Sequence, residues 1–424
     1  MTRAVRFSPD YWFFLAGQTI SSFGNAITAF ALPLLVFELT GSALELSVTT
    51  AVVYLPYALF GLPIGAWVDR VNRKQLMVVT DVVRVVSTAT VPLAAALHVL
   101  SPWWVYAVIF LNSTLGIAFN SAAFAAVPFL VETDEELPRA NSRLQASFSG
   151  ASLLGPLVGG AALVVVGVAD VLAIDAATFL ASAVSLLLVR RRFDGGTEPR
   201  SSTLRADVVE GLRYVLGNTV LRALALMAAV INLFLASTLA QVVLLAKERM
   251  HASNPQVGWF YSAAPLGMIL FSLAAPHLRR LGSFGRVAIT ATILNGLSTL
   301  VLSQSRSLPV GLVAYAVVMG TVMLFSVSTA TLRQQITPPQ LLGRVISIAM
   351  VLAWSVEPLG AVVGGAAVQG TGRVGLVYAV SGIALVAIGV VFAAGPLGRA
   401  EPASQLTDSA VPVPAARRPS GASR

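Results

Sequence analysis

Apolar runs of about 20 to 30 residues, broken by short polar segments, fill almost the whole chain. A helix needs about 20 apolar residues to cross the hydrocarbon of a bilayer, where no water satisfies its backbone groups. On that measure the runs at 11–38, 43–68, 74–98, 102–131, 140–167 and 171–190 predict six spans. After a polar stretch, the runs at 219–246, 255–281, 285–304, 308–332, 343–369 and 374–396 predict six more. The first run, Tyr11 to Phe37, exceeds the core of a signal peptide, and no small-residue cleavage pattern follows it, so it reads as a retained span.

The pattern divides the chain into 1–190, a six-helix bundle; 191–218, a cytoplasmic linker; 219–396, a second six-helix bundle; and 397–424, a disordered cytoplasmic tail. Within the linker, Leu204, Val208, Leu212 and Val215 share one helical face, which predicts an amphipathic helix lying along the membrane surface. The tail is rich in Pro, Ser and Ala and has no periodicity. The two bundles repeat one another. Gly155-Pro156-Leu157-Val158-Gly159-Gly160-Ala161-Ala162 returns as Gly360-Ala361-Val362-Val363-Gly364-Gly365-Ala366-Ala367. Thr133 and Leu137 likewise answer Thr337 and Leu341. Repeated halves around a central site are a common plan for secondary transporters. The fold class expected is an all-α membrane protein, twelve transmembrane helices in two pseudo-symmetric six-helix bundles.

Composition agrees. Only 11% of residues are charged and 56% are hydrophobic, whereas a soluble domain carries roughly 25% charged residues. The absence of cysteine excludes a disulfide scaffold, a thiolate metal site and a cysteine nucleophile. The three histidines, His98, His251 and His277, have no ligand spacing, so no metal is expected. The net charge of +9 is scattered between apolar runs and forms no nucleic-acid surface. With the N-terminus inside, 22 Lys and Arg residues fall in cytoplasmic segments and 4 in outward loops, the bias of a multi-pass protein with both termini in the cytoplasm. Arg outnumbers Lys 26 to 2, which points to a GC-rich bacterial genome and hence to a bacterial plasma (inner) membrane.

Between the second and third spans stand Gly65, Asp69, Arg70, Arg73 and Lys74. A glycine permits close helix approach, an acid can face a helix N-terminus, and arginines offer forked donors. This Gly-x-x-x-Asp-Arg-x-x-Arg-Lys pattern resembles the signature of the major facilitator superfamily, with Asn72 where a glycine is usual. The resemblance implies a cytoplasmic latch that stabilises the outward-facing state. The equivalent region of the second half, Leu278-Arg279-Arg280-Leu281-Gly282, lacks the acid. In the fifth span, Gly155, Pro156, Gly159 and Gly160 resemble the antiporter motif of exporters in that superfamily, with Ala151 in place of its upstream glycine. Val127–Val131, Leu137–Asn141, Asp175–Leu180 and Glu210–Tyr214 resemble the drug/proton antiporter branch that includes macrolide-efflux and enterobactin-export proteins.

A proton-driven transporter needs an acid that titrates at depth, and intramembrane charges are functional candidates by default. Glu357 lies near the middle of the eleventh span. Asp175 falls in the outer part of the sixth, where water is expected to reach it. Asp81 stands one helical turn from Arg84 and is expected to pair with it near the latch. Gln18, Ser21, Ser22, Asn25 and Thr28 form a polar stripe on the first span, which belongs against a cavity or another helix. Gln18, Ser22 and Asn25, with Asn112, Asn232, Gln241 and Phe325, are candidate substrate-cavity residues. The function expected is proton-coupled export of amphiphilic organic compounds such as drugs, antibiotics or siderophores, by alternating access. No cofactor is expected beyond the proton gradient. The expected partners are a small-molecule substrate and the lipid bilayer, with the monomer sufficient. A uniporter or importer on the same fold is the alternative. A lipid-modifying enzyme is disfavoured for want of a catalytic cluster.

Overall fold

The computed structural model describes residues 7–68, 71–133, 136–191, 193, 204–278 and 283–395. Local chemistry sets the helix ends. Ser8 caps α1 (Pro9–Thr40) by accepting from the Tyr11 amide, and Pro9 fits the first turn, where its missing N–H costs nothing. Gly41 closes α1 at φ 62°, a left-handed conformation that glycine adopts without a Cβ clash. Next come α2 (Ala43–Val68), α3 (Arg73–Ala96), α4 (Pro102–Leu130), α5 (Leu137–Ala162) and α6 (Val168–Leu188). Asn72, Ser101 and Asn218 cap α3, α4 and the helix that begins at Thr219 in the same way. The helix α7 (Leu204–Gly217) leads to α8 (Thr219–Leu239), the short α9 (Val242–Leu244) and a π-helical turn, Leu245–Arg249. The remainder is α10 (Asn254–Leu278), α11 (Phe284–Gln304), α12 (Leu308–Ile336), α13 (Pro339–Trp354), α14 (Glu357–Thr371) and α15 (Val374–Ala394).

Among the described residues, eleven helical segments are long and apolar enough to cross a membrane. The chain is a multi-pass membrane protein. α5 is the twelfth crossing, made polar by Arg139, Asn141, Arg143 and Gln145 in its first turns. The eleventh crossing is broken, which corrects the continuous helix expected over 343–369. α13 stops at Trp354 and α14 restarts at Glu357 after a turn at Ser355 and Val356, with Pro358, which lacks an amide hydrogen to give the preceding turn, in the first turn of α14.

The helices pack by a repeated plan. In the N-terminal set α1 lies against α5 and α6, α3 against α4 and α6, and α2 against α4. In the C-terminal set α8 lies against α14 and α15, α11 against α12 and α15, and α10 against α12. Each pairing in one set has its counterpart in the other. Between the sets, α2 packs on α14 and α10 packs on α5, again a symmetric exchange.

The repeated glycines explain those contacts. A Cβ at Gly155 would stand 2.6 Å from Ala26 Cβ, and one at Gly159 would stand 2.7 Å from Phe30 Cε1, both on α1. A Cβ at Gly360 would overlap the Leu233 carbonyl, and one at Gly364 would stand 2.8 Å from Ser237 Cα, both on α8. The third glycine of each group faces the other set: Gly160 against Pro255 of α10, Gly365 against Ser47 of α2. Small residues let helices approach closely where no hydrophobic gain drives association.

Both ends of the described chain lie on one face of the array, called here the terminal face; the α1–α2 turn marks the far face. At the far face one apolar cluster spans both sets, joining Leu34, Leu35 and Leu46 to Val243, Phe260 and Tyr378. Toward the terminal face the core divides. Tyr11, Phe14, Met77 and Leu130 belong to the N-terminal cluster, and Leu224, Met227, Ala288 and Leu385 to the C-terminal one. α7 is not a lone surface helix: Val215 is buried with Leu221 and Ala225 of α8 and Val345 and Ile348 of α13. Leu212 remains exposed, while the side chains of Leu204 and Val208 lie outside the described residues.

Candidate functional site

Three charged side chains sit inside the N-terminal set. Asp81 and Arg84 come from α3 and Asp175 from α6; their exposures are 0%, 6% and 1%. Arg84 Nη2 donates to Asn25 Oδ1 at 2.7 Å, and its guanidinium lies 3.9 Å over the centre of the Phe179 ring. Thr28 Oγ1 donates to Asp175 Oδ2 at 2.5 Å, and Thr178 Oγ1 donates to the Asp175 backbone carbonyl at 2.8 Å with Oδ1 3.2 Å away. Gly24 brings α1 close enough that a Cβ there would overlap Thr178 and the Asp175 carboxylate. This corrects the expectation that water reaches Asp175 directly. The expected Asp81–Arg84 contact pair is also revised: both Asp81 oxygens are buried without a well-formed hydrogen bond among the described residues, although Arg84 acts on them electrostatically. Two neutral partners, Asn25 and Phe179, occupy the guanidinium instead.

Glu357 lies elsewhere, at the broken α13–α14 junction where α14 meets α2. It is half-buried and within electrostatic reach of Tyr54. Next to it Tyr57 and Trp354 meet edge-on across the two sets, ring centres 6.0 Å apart. Tyr57 in turn senses Arg84. The two tyrosines of α2 therefore stand between the N-terminal charge cluster and the C-terminal acid.

The other predicted cavity residues separate by position. Asn25 is exposed and Ser22 part-exposed. Asn112, part-exposed, accepts from Ser87 Oγ at 2.6 Å and donates to Thr88 at 2.8 Å; Asn232, also part-exposed, donates to the Ala353 carbonyl at 3.0 Å. Gln18 is buried between helices, and Phe325 is packed in the C-terminal cluster. Gln241 belongs to the far-face seam: fully buried, it donates to Ser47 Oγ at 2.6 Å and to the Ala43 carbonyl at 3.0 Å. Two further bonds cross that seam, Ser42 to Gln369 at 3.3 Å and Asn254 to Glu38 at 2.8 Å. Lys247 donates to the same Asn254.

Of the latch, Gly65 lies in the last turn of α2, and Asp69 and Arg70 lie outside the described residues, as do Arg279 to Gly282. Arg73 is buried 5.7 Å from the Phe129 ring centre, and Lys74 Nζ donates to the Val189 carbonyl at 2.6 Å. These residues tie α3 to α4 and to the end of α6 within one set. The sequence placed Thr28 on the polar stripe of the first span without naming what it meets, and did not single out Thr178, Phe179 and Ser182 around the buried charges or the aromatic pair Tyr57–Trp354. A signal existed: Asp175, Thr178, Ser182 and Ser185 follow one stripe of the sixth span.

A sequence profile described as Major Facilitator Superfamily matches residues 14–246. The multidrug efflux pump Tap of Mycolicibacterium fortuitum is 29% identical over 353 residues, 81% of this chain and 85% of that protein. Macrolide efflux protein A of Streptococcus pyogenes is 27% identical over 357 residues, 81% of this chain and 86% of that protein. Among solved structures, the nucleoside transporter NupG matches with a TM-score of 0.68 at 13% identity, covering 93% of this chain and all of that one. A bacterial homologue of the lysosomal transporter Spinster matches with a TM-score of 0.67 at 16% identity, covering 91% of this chain and 95% of that one. These two likenesses concern the fold. With more than half its length matched by the profile and its helices paired in two equivalent sets, the chain belongs to the major facilitator superfamily.

Proposed function

We propose that the chain is a proton-coupled exporter of amphiphilic organic compounds, working by alternating access between its bundles at 1–190 and 219–396. The observation that carries the reading is one-sided closure: one apolar cluster and the seam of Gln241, Ser47, Glu38 and Asn254 join the bundles at the far face. Toward the terminal face each bundle keeps its own cluster. Such an arrangement suits a central cavity that opens to the terminal face, with Glu357, Asn25 and Asn232 on its walls. The arginine bias supports a cytoplasmic terminal face, linker and tail in the plasma membrane of a bacterial cell. An exporter loads its cargo in that orientation.

The relatives' names, a multidrug efflux pump and a macrolide efflux protein, support export of drug-like molecules. The glycine group of α5, packed on α1 and α10, supports antiport. Glu357, Asp175 and Asp81 are acids at membrane depth that can carry the coupling proton, so the gradient serves as energy source without a cofactor. The interface between bundles is built within one chain, so a monomer suffices. Everted vesicles from cells overproducing the chain test the reading. Erythromycin should accumulate when an inward-acid gradient is imposed, and nigericin should abolish the accumulation. Accumulation indifferent to nigericin, or none for any compound of a macrolide, tetracycline and dye panel, contradicts it.

A further inference from the structure

Within the Asp81–Arg84–Asp175 cluster the charges do not balance, since the other buried arginine of the bundle, Arg73, lies two turns away beside Phe129. Asp81 and Asp175 against Arg84 leave one uncompensated negative charge if both acids are ionised, in a region walled by α1, α3 and α6. A buried net charge is costly, and one bound proton removes it. The charged or titratable groups facing the cluster are few: Asp81 and Arg84 from α3, Asp175 from α6 and Tyr57 from α2. α1 presents only neutral groups, Gln18, Ser21, Asn25 and Thr28. α4 reaches the cluster through neutral Asn112, bonded to Ser87.

The two acids are not equivalent. Asp175 holds a hydroxyl donor from Thr28 on Oδ2, and the Thr178 hydroxyl, bonded to the Asp175 backbone carbonyl, lies 3.2 Å from Oδ1; such donors favour the carboxylate. Asp81 has no well-formed donor on either oxygen; Ser182 Oγ approaches it without completing a bond, and both residues are fully buried. We propose that Asp81 is the group that takes up and releases the transported proton, that Asp175 is the lasting counter-charge of Arg84, and that Glu357 serves the cargo instead. This rests on the antiport reading and names its proton site.

Arg84 links that site to the cavity. Its Nη2 is held by Asn25, the exposed end of the cluster, while its Nε is buried without a partner. When the Asp81 O–H breaks and the proton leaves, the new carboxylate draws the guanidinium away from Asn25. Reprotonation returns it. The state of Asp81 thus decides whether Asn25 is free to meet cargo. A polar seam runs from the cluster toward the terminal face through Ser182, Ser185 and Gln18, whose Oγ and Nε2 atoms are buried without partners, and it gives the proton a path.

The test uses the purified full-length chain in proteoliposomes, with radiolabelled erythromycin as probe. Two quantities are read: accumulation driven by a pH gradient, and exchange at equal pH on both sides. Asp81→Asn, which holds Arg84 on Asn25 as the protonated acid does, should cut gradient-driven accumulation about tenfold or more and slow exchange through a raised erythromycin KM. Exchange by this variant should also lose its pH dependence. Glu357→Gln should raise the erythromycin KM and leave the pH profile in place. Asp81→Asn that still accumulates erythromycin against the gradient overturns the proposal, as does loss of pH dependence in Glu357→Gln alone. Wild-type chain that exchanges erythromycin but never responds to the gradient overturns the antiport reading instead. Should Asp81→Asn fail to fold, Asp81→Glu keeps an acid on a longer arm; a shifted midpoint in the pH profile supports the proposal, and an unmoved midpoint refutes it.

Discussion

α3 and α6 of the N-terminal set hold Asp81, Arg84 and Asp175 against α1. At the matching contacts of the C-terminal set, α11 and α15 bury Thr292, Asn295 and Ser381, all neutral. There Asn295 donates to the Val318 carbonyl and to Thr321, each at 2.9 Å, and Gly296 meets Gly382 so closely that a Cβ would stand 2.6 Å from its carbonyl oxygen. One helix plan therefore holds two kinds of core. Neutral, glycine-rich contacts let α11 and α15 close fully, while the charged contacts need Phe179, Asn25 and two threonines around them. Duplicated packing fixes where helices run, and divergence in the core decides which half buries charge between its helices.

The largest break in that comparison comes from Arg84→Met, which strands two buried carboxylates. It should destabilise the purified chain by about 3–5 kcal/mol in SDS titration, the cost of orphaning a buried ion partner. Asn295→Ala in the other half should cost about 1 kcal/mol, the worth of an ordinary hydrogen bond. Equal losses would mean that the charge cluster has no special weight.

The glycine groups offer a second contrast. Gly360 and Gly364 abut the backbone of α8, which cannot yield, whereas Gly159 abuts the side chains of Ile27 and Phe30, which can turn about their own bonds. Gly360→Ala should cost about 3 kcal/mol and Gly159→Ala about 1 kcal/mol, the two ends of the range for overpacking. The same titration checks the order.

Smaller effects sharpen the picture at the seams. Gln241→Leu removes two bonds that hold the far face shut, worth about 1 kcal/mol each. Spin labels on the α1–α2 and α9–α10 connections should report a larger population with the far face open; an unchanged distance distribution would show that apolar packing alone closes it. The smallest change is Tyr214→Phe, which deletes a 3.4 Å bond from α7 to the Ile336 carbonyl. It should cost about 0.5 kcal/mol and speed hydrogen exchange in α7, with α8 unaffected.

Much of the architecture was legible in the chain. Runs of apolar residues marked eleven of the crossings, and the recurrence of Gly155–Ala162 as Gly360–Ala367 announced the paired packing that the structure displays. The α5 span was legible as well, although polar residues in its first turns set it apart. Less of the candidate site was readable. Asp81, Asp175 and Glu357 stood out because charge is rare at depth, yet their surroundings were misjudged: Asp175 is sealed, Arg84 faces Asn25, and Gln241 holds a seam.

What the sequence determined by itself is distributed along the chain axis: how many helices cross, where they end, and that two halves repeat. Those properties follow from side-chain hydropathy, capping residues and prolines, each acting within a few residues of its own position. Tertiary structure alone decided which stripe of each helix meets which neighbour. That left Asp81 without a well-formed hydrogen bond while Thr28 donates to Asp175, and shut the far face while the terminal-face cores stayed separate. The reason is geometric. A helix's rotation about its own axis is set by close contacts with other helices, and a glycine or a polar stripe names a contact face without naming the partner.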